Sequence, residues 1–151
     1  MILPNYKDFP QVGRIIGLDW GLRRCGVALS DEKRDFVFER LQINIKNQQE
    51  LVKAVVRLID EEKTVGIVIG LPLHADGTDS ETTKAVREFA NMLASKTDLP
   101  IIFIEENLTS ATAEQEIGHK NMSKMKQELD SVSARIILEN AIAMLKRPIQ
   151  M

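Results

Sequence analysis

Three acidic positions in this chain stand where carboxylates can do chemistry: Asp19, Glu106 and Asp130. Asp19 closes the first strong apolar run, Arg14-Ile15-Ile16-Gly17-Leu18-Asp19, ahead of a turn bracketed by Gly21 and Gly26. A carboxylate on a buried strand is costly unless a donor, a cation or a metal answers its charge, and glycine beside it lets another group approach closely. Glu105-Glu106 directly follows Ile101-Ile102-Phe103-Ile104, and strand ends are where ligands sit in a sheet covered on both faces. Asp130 stands near the expected start of the last helix. Each has a plain structural reading: a solvated strand exit for Glu105-Glu106, an N-cap for Asp130. If the strands of Asp19 and Glu106 are near neighbours and the last helix packs on the sheet, the three acids share one cleft. Divalent cations would relieve their repulsion, and an all-oxygen set with room for water suits Mg²⁺ or Mn²⁺. His74 and His119 are isolated and read as loop residues, so no zinc set is present.

The elements that must position these acids follow from periodicity. Strands are predicted over residues 14–18, 25–30 and 36–45, joined by short connections as an antiparallel meander. Asn47 with Glu50 forms a capping box for a helix whose apolar stripe is Leu51, Val52, Val55, Leu58 and Ile59. Val65-Gly66-Ile67-Val68-Ile69-Gly70 reads as a strand buried on both faces. The loop Leu71-Pro72-Leu73-His74-Ala75-Asp76-Gly77-Thr78-Asp79 forms a fixed turn or a rim of the cleft. A second helix begins near Asp79 or Ser80 and faces inward through Val86, Phe89, Ala90 and Leu93. A strand over 99–104, a short helix over 109–117, a polar, mobile stretch over 118–128 and a helix from about Asp130 to Lys146 complete the order. Strand–helix alternation after a meander gives an α/β fold: a mixed five-stranded sheet, the meander plus two parallel strands, flanked by helices.

Composition bounds the rest. Of 151 residues, 44% are apolar and 28% charged, as in an ordinary globular domain. Residues 1–13 lack a basic segment followed by an apolar one and read as a loosely ordered extension ahead of one domain over 14–147. The single cysteine, Cys25, excludes an intrachain disulfide, fits a reducing cytoplasm and reads as a core residue. No apolar run is long enough to span a bilayer. A net charge of −2 weighs mildly against a nucleic-acid partner. The local groups Arg23-Arg24, Lys33-Arg34 and Lys120, Lys124 and Lys126 are candidate patches, or simply solvated faces.

The motifs also carry a resemblance. Ile16-Gly17-Leu18-Asp19-Trp20-Gly21 with Arg24, Gly26-Val27-Ala28 and Ser30-Asp31 resembles the opening motif of the YqgF-type family. These are RuvC-like proteins described as Holliday-junction resolvase homologues and as candidate pre-16S rRNA nucleases. Gly70-Leu71-Pro72-Leu73 with Asp76-Gly77, Glu106 with Leu108-Thr109-Ser110, and Asp130 with Ser133-Ala134 and Ile137-Leu138 resemble its later segments in order and spacing. The resemblance implies an RNase H-like fold and a two-metal phosphodiester hydrolase. Asp19, Glu106 and Asp130 would be its catalytic acids and metal ligands, with Asp19 bridging two Mg²⁺ or Mn²⁺ ions. Arg24, Lys120, Lys124 and Lys126 would hold the nucleic-acid backbone, which positions without reading sequence. The implied substrate is an rRNA precursor, matured at the 5′ end of pre-16S rRNA in ribosome biogenesis. The alternatives are branched DNA in recombination and repair, or a non-catalytic nucleic-acid-binding module. Glu105 and Asn107 depart from the family's usual Asp and Arg, and the lost arginine removes a phosphate contact. An actin-like nucleotide-binding protein shares the Asp19-Trp20-Gly21 turn but needs a second phosphate loop and a second domain. The last helix carries Ile136, Ile142 and Met144 beside its main stripe, which leaves monomer and homodimer both open.

Overall fold

The meander forms as β1 (Ile15–Trp20), β2 (Arg24–Ser30) and β3 (Val37–Asn44), each antiparallel to the next. After it come α1 (Gln48–Glu62), β4 (Gly66–Leu71), α2 (Glu81–Ala94), β5 (Ile101–Glu105) and α3 (Met122–Lys146). The computed structural model describes residues 1–74, 76–105 and 122–146, with residues 122–133 of α3 described by backbone alone. The five strands lie in the order β3-β2-β1-β4-β5, with β4 parallel to both β1 and β5. This is the expected mixed sheet.

Alternation along the strands divides the core. Ile16, Leu18, Trp20, Val27, Ile67 and Ile69 pack with α1 and α2 on one face. Ile15, Ala28, Val68 and Ile102 pack with Ala134, Ile137, Leu138 and Ala141 of α3 on the other. Cys25 is fully buried on the α1/α2 face. Both crossover helices start on side-chain caps: Asn47 accepts from the Glu50 N–H, and Ser80 and Thr83 form a reciprocal box.

Three expectations are corrected. The helix expected from Asp130 starts at Met122, so residues 122–128 are helical and Asp130 is an interior position, not an N-cap. Lys, Met, Gln, Glu and Leu are strong helix formers, and the polarity of the stretch hides that propensity. The first residues are not loosely ordered. Ile2 bridges Ile101 at the free edge of β5, the Leu3 N–H donates to the Ile101 carbonyl at 2.8 Å, and Phe9 is buried against Gly66. Arg34, expected on a solvated basic patch, is 4% exposed. Its Nε donates to the Gly13 carbonyl at 2.7 Å and its guanidinium lies 5.9 Å from the centre of the Phe9 ring. Burial lowers its pKa.

Candidate active site

Asp19 is half-buried near the C-terminal end of β1, the central strand, which is hydrogen-bonded to β2 on one side and β4 on the other. The ladder with β2 runs through Asp19 itself, and the ladder with β4 holds β1 up to Leu18. Asp19 lies opposite Gly26 on β2. On the β4 side the last pair is Leu18 with Ile69, so the next position along is Gly70. The carboxylate therefore rises from the sheet with a glycine beside it on each neighbouring strand, and neither contributes a side chain that would cover it.

Alternation puts Asp19 on the same face as Ile15 and Gly17, the face covered by α3. A Cβ added at Gly17 would lie 2.9 Å from the Leu138 Cβ and 3.1 Å from the Ala134 carbonyl oxygen. The absence of a side chain at Gly17 thus lets α3 come down onto β1. Asp130 precedes Ala134 by one helical turn, so its backbone belongs to the stretch of α3 next to this contact. Its side chain lies outside the described residues, as do those of Lys124 and Lys126 on the same helix.

Arg24 begins β2, half-buried, two residues before Gly26 and on the same face. It is the diagonal cross-strand neighbour of Asp19, within reach of a long side chain. The hairpin between them is tight: the Gly21 N–H donates to the Arg24 carbonyl at 2.9 Å, leaving Leu22 and Arg23 exposed at the tip. β5 ends at the exposed Glu105, which pairs with Leu71 and so takes the register of the α1/α2 face, opposite to Asp19. Glu106, Asn107, His119, Lys120 and the helix expected over 109–117 lie outside the described residues. Among the described residues no group of three His, Cys, Asp or Glu side chains is close enough together to hold a metal ion.

The loop after β4 is a fixed turn. The Asp76 carboxylate accepts from the Thr78 N–H at 3.0 Å and the Thr78 hydroxyl at 2.6 Å, and these bonds hold its pKa below the usual value. Gly77 takes φ +84°, and Leu73 bridges Asp79. Two anchors here were not singled out from the sequence. The Thr83 hydroxyl donates to the Pro72 carbonyl, and Arg87 grips Asp79 through Nε and Nη2 at 3.1 and 3.2 Å. The Ser80-x-x-Thr83 spacing signals the capping box but not the bond to Pro72, and the Arg87–Asp79 pair carries no local signal because it spans the helix start.

The RuvX family profile, described as Holliday junction resolvase, matches residues 13–144. The chain belongs to the RuvX family. A relative from Maridesulfovibrio salexigens, named "Putative pre-16S rRNA nuclease", is 38% identical over 132 residues, 86% of this chain and 98% of that protein. A relative of the same name from Rickettsia canadensis is 30% identical and covers 97% of this chain and 99% of its own length. Among solved structures, T. thermophilus RuvC in complex with a Holliday junction substrate superposes with a TM-score of 0.56 at 10% identity, over 88% of this chain and 95% of that one. The fowlpox virus resolvase in complex with Holliday junction DNA gives 0.54 at 10% identity, over 89% and 99%. At such identity the likeness speaks for the fold, which in this RuvX protein is RNase H-like. No helix among the described residues of the RuvX chain is long and apolar enough to cross a membrane.

Proposed function

We propose that this RuvX protein is a metal-dependent endonuclease that hydrolyses phosphodiester bonds in structured nucleic acid, with the 5′ end of pre-16S rRNA as its substrate. The observation that carries the reading is Asp19. It is a carboxylate pinned on the central strand, flanked by Gly26 and Gly70, on the face where α3 brings the turn of Asp130 alongside. The names of the RuvX relatives support the rRNA substrate, and the family description supports branched DNA as the alternative.

In this reading Asp19, Glu106 and Asp130 hold Mg²⁺ or Mn²⁺. The donor chemistry fits: three carboxylates, with no sulfur or imidazole among them, suit a hard cation. Bound ions would acidify water and neutralise charge on the leaving 3′ oxygen. The chain's own task is positioning. β1 fixes the backbone from which the Asp19 carboxylate projects, which lowers the cost of ordering it when substrate binds. Arg24, beside Asp19, and Lys120, Lys124 and Lys126 take phosphates of the bound strand. Water adds across the P–O3′ bond, leaving a 5′-phosphate and a 3′-hydroxyl. Asp76 stays out of this set because its carboxylate is committed to Thr78.

The test is cleavage of a pre-16S rRNA 5′ fragment and a four-way DNA junction by purified protein with Mg²⁺ or Mn²⁺. Cleavage of the rRNA fragment that stops with chelator, returns with added Mn²⁺ and is lost in Asp19→Asn is expected. Junction cleavage alone moves the substrate to branched DNA. Wild-type rates in Asp19→Asn overturn the assignment.

A further inference from the structure

On the face of the sheet opposite Asp19, α1 and the last turn of α2 enclose an open groove of about 790 Å³. The nuclease reading makes no use of it. Its floor is apolar, built by Val52, Val56 and Met92. Lys53, Arg57 and Lys96 stand around it, against one lining acid, Asp60. This gives a positive local balance on a chain whose net charge is −2. Lys53 meets Glu50 at 3.9 Å in an exposed pair, which binds it weakly. Arg57 and Lys96 make no ion pair among the described residues.

We propose that this groove docks an acidic amphipathic helix from a partner protein. The lining chemistry selects that occupant. The groove follows α1 from Gln49 to Asp60, three helical turns or roughly 16 Å at 1.5 Å per residue. That length suits a helix laid alongside α1, with its apolar edge on Val52, Val56 and Met92. Its walls are helices, so no free strand edge is offered to an extended peptide. None of the lining residues is aromatic, so unpaired bases find no stacking platform, and an apolar floor does not suit a phosphodiester backbone. Lys53 and Arg57, four residues apart on α1, and Lys96 across the groove would meet carboxylates flanking the apolar edge. Their complementarity steers encounter and fixes orientation.

The probe is a designed, fluorescein-labelled helical peptide with leucines at i, i+3, i+4 and i+7 flanked by glutamates. Its binding to the full chain is read by anisotropy and by amide NMR shifts. Saturable binding with shifts at residues 49–60 and 92–96, and not around Asp19, is expected. The double variant K53E/R57E should weaken binding by about tenfold or more, and Arg57→Gln, which leaves α1 unstrained, by about threefold. A counterpart peptide with lysines for glutamates should bind about tenfold more weakly. Equal binding of the two peptides, or shifts elsewhere, overturns the proposal. So does concentration-dependent dimerisation that protects these residues, which makes the occupant a second copy. Displacement of the peptide by single-stranded RNA from the same residues overturns it as well.

Discussion

The two faces of the sheet are built on opposite principles from the same two strands. Toward α1 and α2, β1 and β4 present Ile16, Leu18, Trp20, Ile67, Ile69 and Leu71, all buried and bulky. Toward α3 the same strands present Ile15, Gly17 and Asp19, and Gly66, Val68 and Gly70. Bulk on the first face resists any shift of the strands, because close-packed interiors tolerate little displacement. Glycine on the second face lets other groups come down to the backbone. Phe9 fills the space over Gly66 and α3 the space over Gly17. Rigidity is supplied from one side and access from the other, and Asp19 stands where both meet.

Removing the carboxylate tests the accessible face most sharply. Asp19→Asn should lower cleavage by about 10³-fold, the equivalent of about 4 kcal/mol in the barrier, with an unchanged circular dichroism spectrum. Loss of fold along with activity would mean that Asp19 belongs to the structural side of the comparison. On the bulky face, Phe89→Ala deletes a fully buried ring and should cost about 3–5 kcal/mol in urea unfolding. Gly17→Val asks whether closeness on the α3 face matters. Its Cβ meets the Ala134 carbonyl at 3.1 Å, and such overpacking costs about 1–3 kcal/mol. Because α3 must move and Asp130 rides on it, cleavage should fall by more than that loss of stability explains. A Gly17→Val protein that is destabilised but fully active separates α3 from the site.

The smallest expected effect concerns pH. The Asp76 pKa is lowered by its bonds from Thr78, so the folded state binds this proton less readily than the unfolded chain. The resulting stability is fully present above the ordinary value of 3.8 and is lost as pH falls through the depressed folded value. Asp76→Asn should flatten that part of the melting temperature against pH curve without changing the profile above it. An identical acid limb in wild type and variant removes Asp76 from the turn's stability.

The sequence was legible where signals are local. Asn47 as a cap, Cys25 as core, and the stripes of α1 and α2 depend on residues within a few turns. A polar stretch rich in helix formers reads as mobile, which sets Asp130 at a helix start when it is an interior position. Arg34 is buried against Gly13 and the Phe9 ring, and Phe9 against Gly66, contacts between distant segments that no local pattern reports. Arg87 went unread for a similar reason: its grip on Asp79 crosses the start of α2.

By itself the chain determined its five strands, the stripes of α1 and α2, the family, and the position of Asp19 near the end of an apolar strand, since periodicity and motif are properties of neighbouring residues. Tertiary structure decided the rest. It set β1 in the centre of the sheet, placed Gly26 and Gly70 on either side of Asp19 and seated α3 on Gly17. The reason is physical: strand register and helix seating are fixed by contacts between segments far apart in sequence, and a one-residue slip would turn every side chain to the other face.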